Sequence, residues 1–285
     1  MGGKVIAVVG ATGLQGTPVT RRLLGQGWHV RALTRNPTGT RARALADLGA
    51  EVVQADAADI GSLERAFAGA YGVYNVQNHH VSGYDGEVTQ GRNVADAAAH
   101  CGVSHFVYGS AGVGREDTGV GSWDTKVAVT EHVRSLGLPL TVLRPMAFME
   151  LMTEKRFYPA ASVWHVMPKL MGETRPVGWL SVDDLAVIAG KAFADTDAYV
   201  GRDLPLTSDV QSIADCRAVW QEVTGRPPRR FPMPVRLFER FSGTDETTMW
   251  RWLRQNDVDL DTGAARAVLP DALTVREWLA RRQGR

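Results

Sequence analysis

Short apolar runs recur along the first half of the chain, over residues 4–9, 29–34, 51–55, 72–76, 104–109 and 139–144. Longer stretches of mixed character separate them, near 14–26, 39–48, 60–69, 86–101 and 123–136. The runs have the length of buried strands, and the stretches between them have helical spacing, as Val19, Leu23 and Leu24 show for the first. Strand and helix in strict alternation predict an α/β fold: a doubly wound parallel sheet covered on both faces. Pro18 is accommodated only in a helix's first turn, so the first helix should start close to the glycines before it. After Pro145 the rhythm changes, and segments become irregular and richer in Met, Trp, Pro and Arg. Ser181-Val-Asp-Asp-Leu-Ala begins like a capped helix, residues 211–224 predict another ending at Gly225, and Val275–Arg282 predicts a terminal one.

The first strand runs into Gly10-Ala-Thr12-Gly13-Leu-Gln15-Gly16 and a helix follows. Glycines at that spacing let the chain turn tightly and let a pyrophosphate approach the backbone, with the helix N–H groups facing the phosphates. Thr12 and Gln15 would flank them. The motif predicts a Rossmann-type dinucleotide site. The second strand ends Val30-Arg-Ala-Leu-Thr-Arg35-Asn-Pro37, with no acid to hold ribose hydroxyls. The Arg35 guanidinium suits a 2′-phosphate instead, which predicts NADP(H). Arg41 and Arg43 read as solvated surface. Asp56 is a candidate adenine-side contact or a simple cap. Gln77 and Asn78 end the fourth strand, where ligands bind in doubly wound folds. The expected organisation is an NADP-binding Rossmann domain over 1–146 and a smaller α+β lobe over 147–285 that packs on it, with room for the chain to return to the sheet.

Composition narrows the function classes. The chain has 285 residues, 44% hydrophobic and 22% charged, with a net charge of +1. That balance, and the lack of a recognition-helix pattern, argue against nucleic acid as a partner. The two cysteines, Cys101 and Cys216, have no metal-ligand spacing, so no metal is expected and a cytoplasmic setting with reduced thiols is. The first strand begins too early to leave room for a signal peptide, and no apolar run has the length of a membrane span. Oligomerisation is compatible with the sequence.

Gly-Ala-Thr-Gly-Leu-Gln-Gly, Arg-Ala-Leu-Thr-Arg-Asn-Pro, Gly49-Ala-Glu-Val-Val-Gln-Ala-Asp56 and Leu143-Arg-Pro145 together resemble the NmrA-like family of atypical short-chain dehydrogenases/reductases. The resemblance spans most of the chain. It implies a Rossmann domain with a small substrate or partner lobe. It also implies cofactor roles for Gly10, Thr12, Gly13, Gln15, Gly16, Arg35 and Lys126. Some members are redox-sensing regulators, and others are NADPH-dependent reductases of quinones or related compounds.

Typical short-chain dehydrogenases use Tyr-x-x-x-Lys on one helix face, the lysine holding the nicotinamide ribose and the tyrosine giving a proton. Here Lys126 stands in a suitable segment but Ser122 occupies the tyrosine position, and no Tyr-x-x-x-Lys exists anywhere in the chain. Candidate catalytic groups are therefore Lys126 itself, Ser110 after the fifth strand, and His79, His80 and Tyr84 in an expected loop after the fourth. Trp123 is a candidate for substrate stacking or core filling. Phe148, Met149, Met152, Phe157, Trp164, Met167, Met171 and Trp179 are candidates to line a pocket for an apolar or aromatic ligand, or to fill the second lobe's core. Arg226, Arg229, Arg230, Arg236 and Arg240 read as a solvated basic face, with an acidic protein partner as the alternative. The expected function is an NADPH-dependent reductase of an apolar quinone, carbonyl or imine-like substrate. The alternative is a non-enzymatic NADP(H) sensor acting through a protein partner.

Overall fold

The computed structural model describes residues 3–153, 162–229 and 233–283. Of the residues singled out above, Phe157 and Arg230 lie outside the described residues. The six expected strands are present, each within one residue of its expected ends: β1 (Val5–Val8), β2 (His29–Thr34), β3 (Glu51–Gln54), β4 (Gly72–Asn75), β5 (His105–Gly109) and β6 (Leu140–Pro145). Between them run α1 (Gly16–Gly25), α2 (Thr40–Ala46), α3 (Ile60–Phe67), α4 (His79–His100) and α5 (Gly121–Ser135). Pro18 sits in the first turn of α1, where its missing N–H costs nothing.

The later strands are β7 (Ala147–Phe148), β8 (Pro176–Leu180), β9 (Asp203–Leu206) and β10 (Asp209–Ser212). The main sheet has seven strands in the order β3-β2-β1-β4-β5-β6-β9. β1 is parallel to both neighbours, with Ile6 opposite Val30 on one side and Gly72 on the other. The first crossover therefore leaves β1 in one direction and a later one in the other. This is the switch point outside which Rossmann-type sheets bind ligands, at the carboxyl ends of the strands. A second sheet has the order β10-β8-β7, antiparallel at its first pair and parallel at its second.

The chain forms two compact units that interleave in sequence. One holds the chain up to Gly114 with Thr125–Arg144 and Leu185–Leu204; the other holds Arg115–Asp124, Pro145–Asp184 and Pro205 onward. In the first, β1 is buried on both faces, and Phe67, Val94, Phe106, Val129, Val133 and Val142 belong to one apolar cluster. Each such side chain contributes about 1.5–3 kcal/mol on burial.

The core of the second unit is built differently. Met149, Met152, Trp164, Met167, Met171 and Trp179 are all buried in one cluster with Trp250 and Trp278. Of the two readings offered by the sequence, core filling is the one these residues follow, and Phe148 is half-buried. Polarizable, pliable methionines suit the irregular gaps between short helices. Trp123 is also core: it is buried and packs edge-on against Trp252, ring centroids 5.4 Å apart. The expected caps are present. Ser181 Oγ accepts from the Asp184 N–H at 3.0 Å at the start of the helix Val182–Ala194. Ser212 and Asp215 form a capping box at the start of Ile213–Thr224, which ends at Gly225.

Candidate functional site

The turn after β1 is shaped by backbone contacts. Gly10 has φ +72°, and the Gly13 N–H closes the turn on the Gly10 carbonyl at 2.9 Å. A Cβ on Gly16 would stand 2.1 Å from that same carbonyl oxygen, so no side chain fits where α1 meets β1. The N-terminus of α1 has no side-chain cap and no acid in its first turn, which leaves its positive end for an anion. Gln15 is held from below: the hydroxyl of Tyr74, a fully buried residue of β4, donates to Gln15 Oε1 at 3.1 Å.

Arg35 follows β2 directly, is exposed, and makes no hydrogen bond or ion pair among the described residues. Arg41 is exposed as expected, and its Nη1 also donates to the Thr12 carbonyl at 2.9 Å. The start of α2 is thereby fastened to the glycine turn. Arg43 is exposed as expected. Asp56 follows β3, and its Oδ1 accepts from the Ala58 N–H at 3.0 Å, so one carboxylate oxygen serves a local turn.

The residues after β4 are drawn into local structure more than the sequence suggested. Asn78 caps α4, its Oδ1 accepting from the His80 N–H at 3.0 Å. The expected loop at 79–85 is instead the opening of that helix, interrupted only at Gly83 (φ 73°). His79, His80 and Tyr84 are therefore helical residues; the His79 and Tyr84 rings stack with centroids 5.2 Å apart. Gln77 is buried and contacts Asn75 through its side-chain amide. Ser110 is buried, and its N–H donates to the Leu143 carbonyl at 2.9 Å.

Lys126 lies on α5 and is buried. Its ammonium donates to Glu87 Oε1 at 2.5 Å and to the Gln77 carbonyl at 2.9 Å. Glu87, on α4, is fully buried, and its other oxygen accepts from Thr125 Oγ1 at 2.6 Å. The Tyr108 ring of β5 lies 5.9 Å from the ammonium. Burial pushes the Tyr108 hydroxyl well above the usual phenol range, and the charge of Glu87 adds to the effect. Nothing in the sequence singles out Glu87. The one trace is Gly91, a helical turn later on the same face. A Cβ there would stand 2.4 Å from Val129 of α5, so the missing side chain lets the two helices approach. Ser122 is on α5 four residues before Lys126, and its N–H donates to Asp245 Oδ1 at 3.1 Å.

Gly10, Thr12, Gly13, Gln15, Gly16, Arg35 and Asp56 thus follow strands β1 to β3 at their carboxyl ends. Gln77 and Lys126 are bonded to each other beyond β4, and Ser110 follows β5.

A model of the NmrA-like family matches residues 2–278. The NmrA-like family domain-containing oxidoreductase malD of Malbranchea aurantiaca is 31% identical over 255 residues, covering 80% of this chain and 75% of the relative. Among solved structures, NmrA, a negative transcriptional regulator, in complex with NADP superimposes with a TM-score of 0.76 at 21% identity, covering 97% of this chain and 94% of that one. The Citrobacter sp. triphenylmethane reductase complexed with NADP(H) gives 0.76 at 18% identity, covering 98% and 99%.

Proposed function

The chain belongs to the NmrA-like family, and from that premise we propose that it is an oxidoreductase that uses NADPH to reduce an apolar quinone, carbonyl or imine-like substrate. The observation that carries the reading is the first-unit arrangement of an uncapped helix N-terminus on a glycine turn, with Arg35 unpaired among the described residues at the end of β2. These residues fit a dinucleotide. The backbone of Gly10 to Gly16 would take the pyrophosphate, Arg35 the 2′-phosphate, and the Lys126 ammonium a ribose hydroxyl on the nicotinamide side. Arg41, by holding the Thr12 carbonyl, keeps α2 beside the phosphate turn. The bound cofactor would supply a hydride. Quinone reduction suits a chain with Ser122 in place of tyrosine, because both product oxygens can take protons from water. The name of the curated relative, an oxidoreductase, and the NADP-bound state of two structural neighbours support the reading.

The test is NADPH oxidation, followed by absorbance, against a panel of quinones, aldehydes, ketones and imines. Tight NADPH binding with no turnover on any member would sink the reductase for those classes. Arg35→Asp is expected to weaken NADPH by about ten- to a hundredfold, the worth of a charge-assisted phosphate contact, with NADH changed far less. If the unaltered protein already prefers NADH in the same titration, the Arg35 assignment fails.

A second reading has its own support. Serine at the tyrosine position withdraws the usual proton donor, and one structural neighbour is a transcriptional regulator. In that reading NADP(H) binding alters affinity for a protein partner, and equal partner affinity with NADP+, NADPH and no cofactor would exclude it.

A further inference from the structure

We propose that Glu87 is the positioning residue of the cofactor site: it fixes the Lys126 ammonium so that one N–H is left to meet the nicotinamide ribose. The inference rests on the NADPH reading above and deepens it.

A glutamate with no exposed surface is a costly choice for a helix side chain unless a cation meets it with good geometry. Glu87 meets that condition with Lys126 on one oxygen at 2.5 Å, and the Thr125 hydroxyl donates to the other at 2.6 Å. The contact is built into the helix pair. Glu87 and Gly91 are one turn apart on α4, as Thr125 and Val129 are on α5. Gly91 against Val129 sets the close approach, and Glu87 against Thr125 and Lys126 fills the next turn. A lysine ammonium has three N–H donors. Glu87 takes one and the Gln77 carbonyl takes another. Among the described residues the third has no acceptor.

The arrangement assigns Lys126 a task. An ammonium locked against a buried carboxylate is a fixed donor to a neutral hydroxyl, and its charge is already answered. It is poorly suited to give up its proton to a product. Glu87 thus acts through Lys126, by keeping it charged and in one place. Without the carboxylate, burial would favour the neutral amine. The groups facing the ammonium are Glu87 from α4, the Gln77 carbonyl after β4 and the Tyr108 ring from β5. In a Glu87→Gln protein burial still holds the Tyr108 hydroxyl protonated.

The experiment compares two ligands, NADPH and adenosine 2′,5′-bisphosphate, which carries the 2′-phosphate but no nicotinamide ribose. In Glu87→Gln, NADPH binding is expected to weaken about tenfold between roughly pH 7 and pH 9, the value of one charge-assisted hydrogen bond. The bisphosphate should stay within about twofold of the unaltered protein, whose NADPH affinity should be flat over the same range. Glu87→Gln/Lys126→Met should bind NADPH no worse than Glu87→Gln does at the alkaline end. Equal weakening of both ligands, additive losses in the double variant, or no change in either would overturn the proposal. Should Glu87→Gln fail to fold, Thr125→Val reads the same coupling. It should weaken NADPH about threefold and spare the bisphosphate, and parallel changes would again overturn the proposal. If the unaltered protein binds neither ligand, the cofactor reading itself falls and takes this one with it.

Discussion

Among the buried glutamates, Glu87 in the first unit and Glu150 in the second are held in opposite ways. Glu87 in the first unit has a cation on one oxygen and a hydroxyl on the other. Among the described residues, the side chain of Glu150 in the second meets neutral donors: the Val182 N–H at 3.1 Å and the Trp278 indole N–H at 2.9 Å. Desolvation dominates at Glu150 and, with a smaller push from Asp183, raises its carboxyl to about 7 against the restraining hydrogen bonds. Burial alone therefore does not mark a functional acid. Glu150 ties three elements of the second unit together: the turn Met149–Met152, the start of Val182–Ala194 and the terminal helix Val275–Gln283. Dipoles suffice for such a joint. A lysine is spent on Glu87, and in the function proposed above that lysine is the one that meets the cofactor.

The contrast can be broken most forcefully at Lys126. Lys126→Met leaves Glu87 buried without a cation and should cost about 3–5 kcal/mol in denaturant unfolding, most of it recovered by adding Glu87→Leu. A loss under about 1 kcal/mol would show that solvent reaches Glu87 in solution.

The next largest effect is on the pH profile of the second glutamate. The folded state raises the Glu150 carboxyl above its ordinary 4.5, so the folded chain binds the extra proton between 4.5 and about 7. Its stabilising contribution is complete below 4.5 and is lost as pH rises through 7, by at most about 3 kcal/mol. Glu150→Gln should flatten that slope in thermal melts between pH 5 and pH 8, and an unchanged slope would assign the dependence elsewhere. The smallest effect is expected from Trp278→Phe. Removing one donor to Glu150 should cost about 1–2 kcal/mol and move the titration midpoint upward, readable by carboxyl NMR shifts. A downward move would mean that the indole is not the donor that holds the charged form.

The same contrast explains what was legible in the sequence. Gly10, Gly13 and Gly16 announce themselves because a missing side chain is itself the signal, and Arg35 because its place at a strand end is fixed by the period of β2. Strand positions followed from continuous apolar runs, which a sheet covered on both faces demands. Glu87 is invisible by the same logic. It sits in a helix whose opening, His79-His-Val-Ser-Gly-Tyr-Asp-Gly, is polar and glycine-rich. That composition also hid the start of α4, which Asn78 caps from outside. An acid in such a setting reads as solvated until a partner helix is packed over it. The contact of Arg41 with the glycine turn was hidden for a related reason, since its acceptor is a main-chain carbonyl twenty-nine residues away.

The seventh strand gives the fold an order in time. β6 ends at Pro145, and its outer neighbour β9 begins only at Asp203. During synthesis the outer edge of β6 must wait, with unpaired amides and carbonyls, until the chain has passed Leu206. The Val142 N–H then meets the Arg202 carbonyl, and the Gly201 N–H meets the Leu140 carbonyl. A nascent chain stalled between those points would expose a strand ready to pair with another copy of itself. A chain cut at 146 would keep that edge open permanently.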